Sequence, residues 1–212
     1  MPTILCFGDS NTYGYDPATR RRLPTDVRWP GILRRELGPD FEILEEGLNG
    51  RTTAWDDPFA EGRNGKTHLL PCLHSHAPVD LVVLMLGSND LKAIFRVSAP
   101  EVASGAAALV TIVQSSGAGP DGRPPQVLLV VPPPVDPGRG HSELWGFGQA
   151  ASESRRLPQL YSAVAEEANC ALLDSGTIVS TSLLDGVHLD PSGHAQLGRA
   201  MAEQVRQLLG PR

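Results

Sequence analysis

The chain is poor in cysteine, with three in 212 residues, an odd number without metal-ligand spacing. Cys6 and Cys170 lie inside apolar, strand-like runs, so a disulfide framework is excluded and buried reduced thiols are expected. Histidine offers no better case for a metal. His74 and His76 are two apart, His68 lies six residues earlier, and no HExxH pattern accompanies them, so neither metal nor cofactor is expected. No apolar run approaches the length needed to cross a bilayer. The segment Ile4 to Phe7 is too short for a secretory signal and has no basic stretch before it, which points to a cytoplasmic protein without a membrane partner. Aromatic residues make up only 5%, leaving few platforms for a polysaccharide. The net charge is -6, and the one basic run, Arg20 to Arg22, reads as a solvated loop, so nucleic acid is excluded as a partner.

What is present suffices for one core. With 41% hydrophobic and 20% charged residues, 212 positions bury one domain well and leave little for a second, so residues 1–212 read as a single domain without internal repeats. Continuous apolar runs alternate with helix-like stretches, the pattern of a parallel sheet covered on both faces. Strands are expected at Thr3 to Phe7, Phe41 to Glu45, Leu81 to Leu86, Gln126 to Val131 and Ala171 to Leu173. Helices are expected at about 26–37, 100–114, 153–168 with a kink or restart at Pro158, and 191–209 with proline at its start and Gly210-Pro211 beyond its end. Residues 51–78 and 132–147, rich in Gly and Pro, read as long loops at strand ends, where an open parallel sheet places its ligand crevice. Trp55, Phe59, Trp145 and Phe147 are candidates for an apolar lining, or for anchors of their own loops.

The chemistry begins at Gly8-Asp9-Ser10-Asn11-Thr12-Tyr13-Gly14, directly after the first strand. A serine hydroxyl is a weak nucleophile until a base takes its proton, and histidine titrates in the useful range. Of the six histidines, only His188 follows an acid closely, in Asp185-Gly186-Val187-His188; Asp190 stands on its other side as an alternative. Oxyanion donors are expected at the other strand ends: the Gly50 N–H in Gly47 to Thr53, and the Asn89 amide in Gly87-Ser88-Asn89-Asp90. Each block alone also reads as a turn or helix cap. Their order and their common placement at strand ends argue for one site.

These four blocks resemble those of the GDSL-like hydrolases of the SGNH superfamily, and the match covers nearly the whole chain. The resemblance implies a flavodoxin-like three-layer α/β/α sandwich around a five-stranded parallel sheet. It also implies a triad of Ser10, Asp185 and His188, and an oxyanion hole of Ser10, Gly50 and Asn89. No Gly-x-Ser-x-Gly elbow surrounds Ser10, as an α/β-hydrolase would require. Stretches such as Asp26-Val27-Arg28-Trp29, Glu45 to Leu48, Arg51-Thr52-Thr53, Asp57-Pro58, Leu86 to Ala93 and Pro132 to Pro134 are similar to the small mycobacterial-type arylesterases and acyltransferases, also studied as perhydrolases. Gly50, Asn11 and Tyr13 depart from the alanine, leucine and tryptophan of the best-known acyltransferase, and bear on the pocket walls.

The resemblance implies a serine esterase acting on short acyl or aryl esters through an acyl-enzyme on Ser10, with acyl transfer as a side activity. The substrate pocket is expected to include Asp9, Asn11, Tyr13, Trp55, Trp145 and Phe147. The expected partners are a small-molecule ester and further copies of the chain in a homo-oligomer, an octamer in the best-known relative. Two rivals are a carbohydrate acetylesterase of the same superfamily and a non-enzymatic flavodoxin-like binding module. The latter leaves Asp185 and His188 without a role, and its first turn lacks Gly-x-Gly-x-x-Gly spacing.

Overall fold

In the computed structural model, which describes residues 1–210, five strands form one parallel sheet: β1 (Thr3–Gly8), β2 (Glu42–Gly47), β3 (Leu81–Met85), β4 (Gln126–Val131) and β5 (Ala171–Asp174). Their order is β2-β1-β3-β4-β5, so the winding reverses beside β1. Ile4 pairs with Ile43 on one side and Leu81 on the other, and Gly8 with Gly47 and Met85. A crevice beyond the carboxyl ends of β1 and β3 is where such a sheet receives a ligand.

The helices are α1 (Ser10–Tyr13), α2 (Trp29–Leu37), α3 (Gly65–His76), α4 (Ala99–Ser115), α5 (Ala150–Ser154), α6 (Leu157–Glu167) and α7 (Pro191–Leu209). Side chains along a strand alternate between faces, and β1 is buried on both. Ile4 and Cys6 pack with Trp29, Leu33, Leu197, Met201 and Val205 of α2 and α7. Leu5 and Phe7 pack with Leu69, Val102, Leu109 and Tyr161 of α3, α4 and α6. The result is the expected three-layer α/β/α arrangement. Local signals fix the ends of two helices. Ser98 and Glu101 form a reciprocal capping box before α4, and the Asp190 side chain accepts from the Gly193 N–H at 2.8 Å to start α7.

Two expectations need correction. Residues 51–78 are not one loop, because α3 occupies Gly65–His76. Only Leu69, Cys72 and Leu73 mark its buried apolar stripe, and Pro71 inside it mimics a breaker. The second helix begins at Trp29, since residues 24–28 form a turn in which the Val27 and Arg28 N–H groups donate to the Pro24 carbonyl. The stretch 153–168 shows the restart expected at Pro158: it divides into α5 and α6, and Pro158 falls in the first turn of α6, where a missing N–H leaves no intrahelical bond unmade. Residues 132–147 carry no strand or α-helix, as expected of a loop. Among the described residues, no helix is long and apolar enough to cross a membrane.

Two glycines at the sheet edge position the site. A Cβ on Gly8 would stand 2.0 Å from Thr12 Oγ1, and one on its register partner Gly47 would stand 2.1 Å from the Tyr13 N. Both absences let α1 settle directly on the strand ends.

Candidate active site

Beyond Gly8 the chain turns immediately into α1, with Asp9 Oδ1 accepting the Asn11 N–H at 2.9 Å. Ser10 therefore begins α1 at the carboxyl edge of the central strand. Its Oγ lies 2.9 Å from His188 Nε2, although 178 residues separate the two in sequence. His188 Nδ1 lies 2.7 Å from Asp185 Oδ2, while Asp185 Oδ1 accepts the N–H groups of Val187 at 3.0 Å and His188 at 2.9 Å. The acid thus folds its own loop around itself and holds the imidazole in one orientation, with a proton on Nδ1 and a lone pair facing Ser10. Burial raises the Asp185 pKa, but the hydrogen bonds and charge of His188 and the Val187 N–H outweigh it and hold the carboxyl below the usual range. Asp190, the alternative acid, is engaged by Gly193 and by Ser192 Oγ at 2.9 Å as the cap of α7.

The other side of Ser10 is built from the ends of β2 and β3. Gly50 has φ +79°, a left-handed conformation that favours glycine. Asn89 opens a short 3-10 turn after β3, and its Nδ2 donates to the Arg51 carbonyl at 3.1 Å and to Asp9 Oδ2 at 3.4 Å. The backbone N–H groups of Ser10 and Gly50 have no acceptor among the described residues. The Arg51 guanidinium secures the Gly50 turn by donating to the carbonyls of Gly8, at 3.0 Å, and of Glu46, and lies over the Phe7 ring. Desolvation lowers its pKa to about 10, with Glu46 foremost among the groups opposing the shift. Burial pushes Asp9 up to about 6, against the Asn11 N–H and the charge of His188. Asp90, also raised by burial to about 6, accepts the Thr53 N–H through both oxygens at 3.0 and 3.1 Å and so ties the β3 turn to the loop after Gly50.

A cavity of about 230 Å³ opens over Ser10 and is lined also by Gly50, Asn89 and His188. Of the residues expected around it, Trp145 and Phe147 line it, whereas Asp9, Asn11, Tyr13 and Trp55 do not. Asp9 lies buried behind Asn89. Asn11 bonds to the backbone on both sides of His188. Tyr13 carries the Arg22 guanidinium over its ring, and the Trp55 carbonyl anchors its own loop by accepting from Thr52 Oγ1 at 2.6 Å. The remaining lining comes from Tyr15, Asn49, Lys92 and Val187, none of them anticipated. Tyr15 and Trp145 flank the His188 imidazole, their ring centres 4.4 and 5.6 Å from its own. Lys92, its pKa lowered by burial, stands 5.6 Å from the Phe147 ring centre. A signal for Lys92 existed: it lies three residues after Asn89, just beyond a strand end. Among the described residues, the one group of three metal-capable ligand atoms, on Glu46, His68 and Cys72, lies outside this cavity.

A hydroxyl, an imidazole and a carboxylate in one hydrogen-bonded line, beside unengaged N–H groups and an amide, can open an acyl carbonyl and hold its oxyanion. Comparison with known proteins agrees with that chemistry. Residues 6–196 match the model of the GDSL-like Lipase/Acylhydrolase family. The aryl esterase of M. smegmatis is 42% identical, with 98% of this chain and 100% of that chain covered and a TM-score of 0.92. Est24, a carbohydrate acetylesterase from Sinorhizobium meliloti, is 39% identical over 98% of this chain and 100% of that chain, with a TM-score of 0.93. A member of the lipolytic protein G-D-S-L family from Veillonella parvula, 17% identical with complete coverage of both chains, shares the fold at a TM-score of 0.70. Comparison with curated proteins gives no match.

Proposed function

Because this chain belongs to the GDSL-like lipase/acylhydrolase family and is a carboxylic ester hydrolase, we propose that it cleaves short-chain acyl esters, aryl esters included, through an acyl-enzyme on Ser10. The observation that carries the reading is the continuous line from Ser10 Oγ to His188 Nε2 at 2.9 Å and on to Asp185 at 2.7 Å, opening into a small cavity. In the proposed cycle His188 accepts the Ser10 proton as Oγ bonds to the ester carbonyl carbon. The oxyanion receives the N–H groups of Ser10 and Gly50 and an N–H of Asn89. His188 then protonates the departing alcohol or phenol, which leaves the acyl group on Ser10. Water attacks that ester with His188 as base, releasing the acid and restoring the serine. An alcohol or peroxide in place of water gives acyl transfer, and the aromatic walls supplied by Tyr15, Trp145 and Phe147 favour such acceptors over bulk water.

Cavity volume supports the short acyl group, since about 230 Å³ lies below the roughly 300 Å³ at which sites for drug-sized ligands begin. The deciding experiment is a p-nitrophenyl ester series from acetate to octanoate, with Ser10→Ala and fluorophosphonate labelling as controls. Turnover by Ser10→Ala equal to wild type overturns the nucleophile assignment, and a flat chain-length profile overturns the short-acyl reading.

A second reading rests on the 39% identity to a carbohydrate acetylesterase. If acetylated carbohydrate is the substrate, acetate release from acetylated xylan or sugars exceeds release from p-nitrophenyl acetate. Self-association also belongs to this proposal. Leu144, Leu183 and Leu184 are exposed, and their two segments meet where Gly140 abuts the Leu184 carbonyl, beside a site wall. Light scattering on wild type and Leu183→Arg tests it, a monomeric wild type being the contrary result.

A further inference from the structure

Where α3 meets the end of β2, outside the cavity over Ser10, the helix repeats a metal-capable side chain once per turn: His68, Cys72 and His76 stand at i, i+4 and i+8. Residues at that interval share one face of a helix. The face meets Glu46, which precedes the final residue of β2. We propose that Glu46, His68 and Cys72 form a binding site for one divalent transition-metal ion, zinc by the character of its donors, with His76 holding the carboxylate.

The donor atoms are already gathered. Glu46, His68 and Cys72 offer ligand atoms within 4.8 Å of one another, and His68 Nε2 lies 3.9 Å from Glu46 Oε2. Bonds of roughly 2.0–2.3 Å to tetrahedral zinc place neighbouring donors roughly 3.3–3.6 Å apart, so closure takes only small side-chain rotations. The second carboxylate oxygen is occupied, as Glu46 Oε1 lies 3.1 Å from His76 Nε2. A ligand fixed in this way from behind is typical of metal sites. Thiolate, imidazole and carboxylate together suit zinc rather than calcium or magnesium, which prefer oxygen donors alone. The carboxylate and the thiolate supply two negative charges for a dication, the thiol proton passing to solvent as sulfur binds. Cys72 is buried whereas His68 is half exposed, which leaves an entry path and a fourth position for water.

The test uses the chelator-stripped full chain, titrated calorimetrically with zinc and spectroscopically with cobalt(II). Wild type is expected to take one ion per chain and to develop a thiolate-to-cobalt charge-transfer band. Cys72→Ser is expected to lose the band, and the exposed His68→Ala to weaken zinc binding at least about tenfold to a hundredfold. His74→Ala retains wild-type affinity, because His74 faces the Ser116 carbonyl at 3.1 Å instead. Circular dichroism establishes that each variant is folded. Absence of the band in wild type, or unchanged zinc affinity in both His68→Ala and Cys72→Ser, overturns the proposal.

Discussion

Asn11 holds His188 by its two neighbours. Its Nδ2 donates to the Val187 carbonyl at 3.2 Å, and its Oδ1 accepts the Leu189 N–H at 2.9 Å. One buried amide thus fastens the residue after the serine to the backbone on either side of the imidazole. Asn11 positions the imidazole and stays out of the cavity.

Replacing that amide with a similar apolar volume separates positioning from packing. Asn11→Leu leaves a buried carbonyl and a buried N–H unpaired, at a cost of about 2 kcal/mol or more in stability. Esterase kcat is expected to fall at least roughly tenfold as the imidazole loses its register, with KM little changed. Asn11→Asp keeps the acceptor for Leu189 and is expected to fall between the two. Kinetics and urea unfolding of both variants check this, and a wild-type kcat in Asn11→Leu contradicts it.

Asp185→Asn keeps the shape of the acid loop but offers His188 Nδ1 a donor in place of an acceptor, which moves the imidazole proton to Nε2, the atom facing Ser10. A fall in kcat of roughly 10³ to 10⁴ is expected with the fold intact. Asp190→Asn, which touches only the cap of α7, is expected to leave kcat within about twofold and stability little changed, because asparagine caps a helix about as well as aspartate. Equal kinetic losses in the two variants contradict the assignment of the acid.

The wall beside His188 is expected to set acyl size. Trp145→Ala removes a large ring from a small cavity, so octanoate turnover is expected to rise relative to acetate. Each methylene that becomes accommodated contributes about 0.8 kcal/mol, and the gain reads out as the ratio of kcat/KM along the ester series. An unchanged ratio places the limit elsewhere.

Acid sensitivity is expected from a histidine outside the cavity. His194 is fully buried, its Nδ1 accepts the Trp29 N–H at 3.2 Å, and burial lowers its pKa to about 4. A native value below the unfolded one, roughly 6.5, means that the native state binds fewer protons between these limits. The stabilisation is complete above about pH 6.5 and is lost as pH falls toward 4, on the order of 3 kcal/mol in all. Asp9 and Asp90, raised to about 6, act with the opposite sign between about 3.8 and 6. His194→Asn keeps an acceptor near Nδ1 and isolates the histidine. The stability of wild type relative to this variant is expected to fall by that amount from pH 7 to pH 4 in urea titrations, and a constant difference contradicts it.

The sheet was legible because β1, β3 and β4 are short apolar runs buried on both faces, which admit few other readings, while the edge strands β2 and β5 keep shorter apolar runs at the same spacing between helices. The four blocks were legible because each follows a strand end or precedes a capped helix, so chain order already implied where they project. Helix α3 was hidden by Pro71 and by a narrow apolar stripe. With it went the spacing of His68, Cys72 and His76, which means nothing until the segment is helical. The cavity walls were less legible for another reason. Asn11 and Tyr13 are close to Ser10 in sequence but point away from it, whereas Tyr15 and Lys92 reach the cavity only through tertiary packing.

The distance of 178 residues between Ser10 and His188 also orders events in time. At roughly 5–20 residues per second, ribosomal synthesis separates the two by roughly 9–36 s. β1 lies between β2 and β3, and one of its faces is covered by α7, so the strand that carries Ser10 at its end is completed by a helix made after His188. A nascent chain therefore carries Ser10 without its imidazole partner, and the segment before α7, which brings His188, is made only after all five strands.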